Sequence, residues 1–172
     1  VERARDEGAT VTAVATAGVR MARNPEAFLE PAAQILGAPV RILSGEEEAR
    51  LSYQSVSLEL PGERCRVLDI GGASTELVDG RGLEVDDARS HAMGSVRFTE
   101  ACVHSDPPTA EAIHNIREAA RERFAEQPLE PLPVLHGLAG TITSLGAVLL
   151  GLEHYDREAV DGSVAARDQV EQ

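Results

Sequence analysis

The sequence predicts an α/β fold, because short runs rich in β-branched and aliphatic residues alternate along it with helix signals, and glycine or proline turns part them. The 172 residues are 42% hydrophobic, enough for a sizeable core. Aromatic residues make up only 3% and tryptophan is absent, so that core is built from Leu, Val, Ile and Ala. In chain order, Val1 to Glu7 reads as the tail of a helix already under way, and Thr10 to Ala15 as a buried strand. Thr16 to Arg23 is a loop or short helix. Asn24 then caps a helix with Pro25 at its first position, and Gly37 ends it. Val40 to Leu43 is a short strand. Ser44, with Glu47 three residues on, has the spacing of a capping box for a helix toward Ser57. The Leu60-Pro61-Gly62-Glu63 turn divides the chain into candidate domains 1–60 and 61–172. Cys65–Ile70, Ser74–Asp79 and Leu83–Ser90 follow as a strand meander, and a helix begins after Gly94. Asp106-Pro107-Pro108-Thr109 breaks that helix and caps another through Phe124. Pro128, Pro131 and Pro133 mark a loop. Val134–His136 is a strand, and Gly137 to Thr141 turns into a helix reaching Leu150. The polar tail after Val164 is expected to fray.

Charge and composition exclude several function classes. A net charge of −13 argues against non-specific binding to nucleic acid or to a membrane surface, and means that any anion site is local. All 16 basic residues are Arg, which suits phosphate geometrically but also fits a general composition bias. Cys65 and Cys102 have no metal-site spacing and fit a reducing compartment. The five histidines are scattered without a ligand pair, so zinc is not expected. No apolar run approaches 18 residues and no signal peptide is evident, which makes a cytoplasmic protein the expectation.

Four segments could carry chemistry. In Val67-Leu-Asp-Ile-Gly-Gly-Ala-Ser-Thr-Glu-Leu77 an apolar strand delivers Asp69, and a Gly71-Gly72-Ala73 turn precedes Ser74, Thr75 and Glu76. Glycines let backbone N–H groups approach a bound group, and a nest of such groups suits phosphate. Asp69 and Glu76 could hold a hydrated Mg²⁺ beside it. The plainer reading is a hairpin whose glycines serve geometry. In Ser44-Gly-Glu-Glu-Glu-Ala-Arg50 the acidic residues oppose the positive end of a helix dipole. Three adjacent glutamates cannot share one face, however, and Glu48, followed by Ala49 and then by Leu51, lies next to the apolar side, where a carboxylate could serve as a base. Gly137-Leu-Ala-Gly140-Thr141 opens a helix whose first N–H groups could bind an anion, and Thr16 with Arg20 at a strand end could hold phosphate or form an ordinary surface turn.

The order of these segments resembles the exopolyphosphatase and guanosine pentaphosphate phosphohydrolase family, Ppx/GppA, within the group of actin, sugar-kinase and Hsp70-like phosphotransfer proteins. The likeness rests on Ala15–Arg20 with Asn24, Ser44–Leu51, Leu68–Leu77, Met93–Glu100 and Gly137–Thr141, and runs from about residue 10 to about residue 162. It implies a ribonuclease H-like, actin-like ATPase architecture of two domains with the first truncated. It also implies a hydrolase that removes terminal phosphate from polyphosphate or from pppGpp. In that resemblance Glu48 matches the catalytic glutamate that handles the attacking water. Asp69 and Glu76 match acidic residues near the scissile phosphate and the metal, Mg²⁺ or Mn²⁺. Arg20, Gly71, Gly72, Ser74, Gly140 and Thr141 match phosphate-holding positions. No nucleic acid or membrane partner is implied; a homodimer is common among such proteins.

Two departures stand out. Ala73 occupies a position usually held by a third glycine, which costs on the order of 1 kcal/mol or more if φ there is positive. The family's first Asp-x-Gly-Ser-Asn phosphate loop has no counterpart, so the chain is expected to be a fragment with little activity alone. Two other readings share the fold: an ATP-dependent kinase or ATPase, and a binding module without turnover. Glu48 argues against the first, and the missing loop keeps the second open.

Overall fold

The computed structural model describes residues 1–125 and 129–171. It has the mixed α/β character expected, and the chain divides into two compact units, residues 1–48 and residues 49–172.

In the first unit β1 (Ala13–Ala15) and β2 (Val40–Ile42) pair in parallel, with Ala13 opposite Val40 and Ala15 opposite Ile42. A parallel pair needs a crossover, and α2 (Ala17–Arg20) and α3 (Glu26–Leu36) supply it. The strand expected over Thr10–Ala15 is shorter because β2 offers only three partners. Before it lies α1 (Glu2–Asp6), where a helix tail was expected. Pro25 has helical φ and ψ, but α3 starts at Glu26, and the expected Asn24 side-chain cap is not made. Instead the Asn24 carbonyl accepts the Ala27 N–H at 3.1 Å. Gly37 ends α3 at φ 62°. The Arg5 guanidinium reaches the carbonyls of Ile35 and Leu36 there, and a Cβ on Gly37 would stand 2.5 Å from it.

Helix α4 (Gly45–Ser57) opens with the expected capping box: Glu47 N–H donates to Ser44 Oγ at 3.1 Å, and Ser44 N–H donates to Glu47 Oε2 at 2.9 Å. The Ser44 backbone donor, then Arg41, holds the Glu47 carboxyl below the usual carboxylate range.

The second unit is built on the sheet β5-β4-β3-β6, made of β3 (Arg64–Ile70), β4 (Thr75–Arg81), β5 (Glu84–His91) and β6 (His136–Leu138). The first three form the expected antiparallel meander; β6 lies parallel to β3. Residues directly opposite across a ladder share a face, which puts Cys65, Val67 and Asp69 with Gly80, Val78 and Glu76. Ala49, Tyr53 and Val56 of α4 cover this face and form the core with Cys65, Val67 and Val78. Gly80 is required there, since a Cβ would lie 2.6 Å from the Tyr53 hydroxyl and 2.3 Å from the Glu84 carbonyl. The opposite face carries a buried bidentate pair, Arg66 Nε to Asp79 Oδ1 at 2.6 Å and Nη2 to Oδ2 at 2.7 Å. Arg66 Nη1 also donates to the Glu130 carbonyl at 2.9 Å.

The remaining helices are α5 (Ser95–Cys102), α6 (Ala110–Ala125), α7 (Ala139–Leu149), α8 (Arg157–Val160) and α9 (Arg167–Val170). Thr109 caps α6 through the Ala112 N–H at 3.1 Å. The strand expected at Val134–His136 lies two residues later, because β6 takes its register from Val67–Asp69 and leaves Val134 and Leu135 exposed. The anticipated glycine turn is absent as a consequence: Leu138 is still extended, Ala139 takes φ 69°, and α7 begins at once. The tail expected to fray forms one helical turn, α9, where Gln169 Oε1 accepts the Ala166 N–H at 2.8 Å. Pro128 lies outside the described residues.

Candidate active site

In the loop of residues 71–74, between β3 and β4, the first three carbonyls bond to residues at the start of α5. The Gly71 carbonyl accepts the Ser95 N–H at 3.0 Å, the Gly72 carbonyl accepts the Arg97 N–H at 3.1 Å, and the Ala73 carbonyl accepts Arg97 Nε at 3.2 Å. Among the described residues only the Asp106–Pro107 peptide is cis, so the peptides of this loop are trans. In a planar trans peptide the N–H opposes the preceding carbonyl. The N–H groups of Gly72, Ala73 and Ser74 therefore each point away from the donor that the preceding carbonyl accepts: the Ser95 and Arg97 N–H groups for the first two, the Arg97 side chain for the third. The Gly71 N–H closes the turn on the Ser74 carbonyl at 3.0 Å.

The loop owes this shape to close approach and not to left-handed backbone. Neither Gly71 nor Gly72 has positive φ, and neither does Ala73, so the strain that a positive φ would bring at Ala73 is absent. Space decides instead. A Cβ on Gly72 would press on Val96 Cγ2 at 3.1 Å, and one on Gly94 would lie 2.5 Å from the Gly72 carbonyl carbon and oxygen. Gly94 is thus the seat on which the loop rests. Thr75 Oγ1 ties the same neighbourhood to the Met93 carbonyl at 2.8 Å.

Asp69 and Glu76 stand directly opposite each other one pair back from the loop that closes the β3–β4 hairpin, with Ser90 of β5 opposite Glu76. Each carboxylate accepts a serine hydroxyl: Ser52 Oγ to Asp69 Oδ2 at 2.5 Å, and Ser90 Oγ to Glu76 Oε1 at 2.6 Å. Asp69 is half-buried, whereas Glu76 is only 1% exposed. Ser74 is buried as well. A cavity of ≈ 360 Å³ lies beside the loop, lined by Gly71, Gly72, Ser95, Gly140, Thr141 and Ser144. No side chain caps α7, so its first N–H groups, with the positive end of its dipole, open at Gly140 and Thr141.

Arg20 and Glu48 meet within the first unit. Arg20 Nη1 lies 3.3 Å from Glu48 Oε2 and donates to the Leu43 carbonyl at 2.6 Å. Glu48 is half-buried, but Leu51 is not what shields it: Leu51 is 52% exposed, off the buried stripe of α4.

The carboxylates fit a hard divalent cation in donor chemistry. Mg²⁺ is commonly held by one or two carboxylates with water and substrate phosphate completing its shell, and Asp69 is the accessible member of such a pair. Among the described residues no group of three or more His, Cys, Asp or Glu side chains forms an all-protein cage.

The model of the Ppx/GppA phosphatase family matches residues 2–168. The chain belongs to this family. Exopolyphosphatase 2 of Mycobacterium tuberculosis is 38% identical over 161 residues, which cover 87% of this chain and 50% of that protein. The Ppx/GppA enzyme of Aquifex aeolicus superposes with a TM-score of 0.81 at 34% identity, over 99% of this chain and 57% of that one. An exopolyphosphatase from Cytophaga hutchinsonii shares the fold, with a TM-score of 0.67 at 21% identity, over 87% of this chain and 50% of that one. The chain spans about half the length of the curated relatives it matches.

The Ppx/GppA loop sequence, with Asp69, Gly71, Gly72 and Glu76, was legible in advance. The residues that shape it were not. Ser90 and Ser144 gave no local signal, and Gly94, Ser95 and Arg97 stood out only within the Met93–Glu100 stretch. One further sign was available: Ser52 is a polar residue at the spacing of Ala49, Tyr53 and Val56 on α4.

Proposed function

We propose that this chain is the phosphate-holding part of a phosphoanhydride hydrolase that removes the terminal phosphate of inorganic polyphosphate. The observation that carries the reading is the set of N–H groups at Gly72, Ala73 and Ser74, each turned away from the α5 donor that the preceding carbonyl accepts. Preorganised donors of this kind stabilise charge that develops on a transferring phosphoryl group, without reorganising during the reaction. The start of α7 adds a second set of N–H groups at the cavity's rim. Asp69, with Glu76 behind it, would hold Mg²⁺ or Mn²⁺, which when bound offsets negative charge on the phosphates. Following the motif, Glu48 orients the attacking water and takes its proton, with Arg20 alongside. Water oxygen bonds to the terminal phosphorus as the anhydride P–O bond breaks, releasing orthophosphate and a chain one unit shorter. Relatives that carry the exopolyphosphatase name favour polyphosphate as the substrate.

The test uses the full-length gene product that contains this chain. It is incubated with polyphosphate, pppGpp or ATP in the presence of Mg²⁺, and phosphate release is measured beside a Glu48→Gln variant. Release from polyphosphate, lowered at least 100-fold by Glu48→Gln, is the expected result, given that a general base contributes roughly 10²–10⁴-fold. Equal turnover by the variant removes Glu48 from the mechanism, and release from pppGpp alone reassigns the substrate. The isolated 172-residue chain is expected to release phosphate far more slowly than the full-length product.

A further inference from the structure

Ser52 interrupts the stripe by which α4 packs on its sheet. Ala49, Tyr53 and Val56 recur at the three- and four-residue spacing of a core-facing helix surface. Ser52 falls on that same surface, three residues after Ala49 and four before Val56. A hydroxyl placed there is costly unless it is bonded. Its partner is Asp69, with 2.5 Å between Ser52 Oγ and Asp69 Oδ2, in the short range of hydroxyl–carboxylate bonds. Among the described residues no other side chain bonds the Asp69 carboxylate, so Oδ2 is anchored while Oδ1 is left for another ligand. Asp69 is otherwise a short side chain at the end of β3, one residue before Ile70 and the loop, with Glu76 opposite it. The Glu76 carboxylate has its own hydroxyl donor, Ser90, so the pair has one serine per carboxylate.

We infer that Ser52 is a positioning residue for Asp69, fixing the carboxylate rotamer so that Oδ1 is presented to a divalent cation beside the phosphate. This rests on the hydrolase reading above. A donor that anchors one oxygen of a ligating carboxylate preorganises the other, and losing such partners typically costs 10–100-fold in metal affinity or activity.

The experiment compares Ser52→Ala, Ser52→Thr, Asp69→Asn and the Ser52→Ala/Asp69→Asn double variant in the full-length gene product. Three quantities are read: binding of Mn²⁺ alone by electron paramagnetic resonance, kcat and KM for polyphosphate, and the thermal midpoint. Ser52→Ala is expected to weaken Mn²⁺ binding about 10-fold and to lower kcat about 10–100-fold, with KM and the thermal midpoint little changed. Ser52→Thr restores both, and Ser52→Ala has no further effect once Asp69 is Asn, because it acts only through that carboxylate. Parent-like Mn²⁺ affinity and kcat in Ser52→Ala overturn the inference, as does a loss that adds in full to that of Asp69→Asn. If Asp69→Asn itself binds Mn²⁺ and hydrolyses like the parent, Asp69 does not hold the cation and the inference falls with that role, whereas a parent that releases no phosphate from polyphosphate defeats the hydrolase reading. A disabled Asp69→Asn beside a silent Ser52→Ala defeats the inference alone.

Discussion

Tyr53 fills the space that Gly80 leaves open on β4, and its hydroxyl has no hydrogen-bond partner of ordinary geometry among the described residues. Burial, with the Cys65 thiol and the Asp86 and Asp79 carboxylates, pushes its phenol well above the usual range. A buried donor without a partner contributes cost and no bond, so Tyr53→Phe is expected to leave stability within about 0.5 kcal/mol of the parent or to raise it. Gly80→Ala should destabilise by more than 1 kcal/mol, since backbone as well as ring stands in the way. Chemical denaturation of both variants checks this pair. Ala139 offers a second test. Its φ of 69° is the strained conformation that the sequence allowed for at Ala73, and relieving it with Ala139→Gly should stabilise by roughly 1 kcal/mol. Composition could not choose between the two alanines. Ala73 sits in a loop whose carbonyls are drawn to α5, which holds it at negative φ, whereas Ala139 must reverse the chain directly from β6 into α7. The buried Arg66–Asp79 pair is similarly silent in sequence, because its partners are joined by strand register and not by spacing. Asp79→Ala leaves a buried guanidinium unpaired and should cost about 3–5 kcal/mol, read from the denaturant midpoint.

At the scale of elements, local signals were reliable where the physics is local. The Ser44–Glu47 capping box, the Gly37 stop and the Thr109 cap all involve groups within four residues of one another, and all three form. Apart from the Asn24 side-chain cap, which is not made, the failures came where a partner strand decides. Both β1 and β6 take their limits from their neighbours, and their own residues could not announce this. The capping box also carries a pH dependence. Glu47 is held below its ordinary pKa when folded, so its contribution is fully present above the unfolded value, near 4.3, and is lost as pH falls through the folded one. Glu47→Gln keeps a side chain that can accept the Ser44 N–H but does not titrate. Its stability should therefore decline less steeply than the parent's between about pH 5 and about pH 3, as thermal melts at stepped pH would show.

For the molecule as a whole, the α/β class and the family were legible because the glutamate helix start and the Asp-x-Gly-Gly turn are local strings of residues in a fixed order. What the order of residues could not express is the direction of the loop's peptides, which depends on α5 arriving through Gly94 to take three carbonyls. That orientation is the central claim, and amide chemical shifts report on it directly. Adding inorganic tripolyphosphate to the ¹⁵N-labelled chain should move the amide resonances of Gly72, Ala73 and Ser74, together with those of Gly140 and Thr141, while Ser95 and Arg97, whose N–H groups are committed to the loop carbonyls, shift less. Unmoved amides at residues 72–74, with shifts confined to other parts of the chain, would contradict the account.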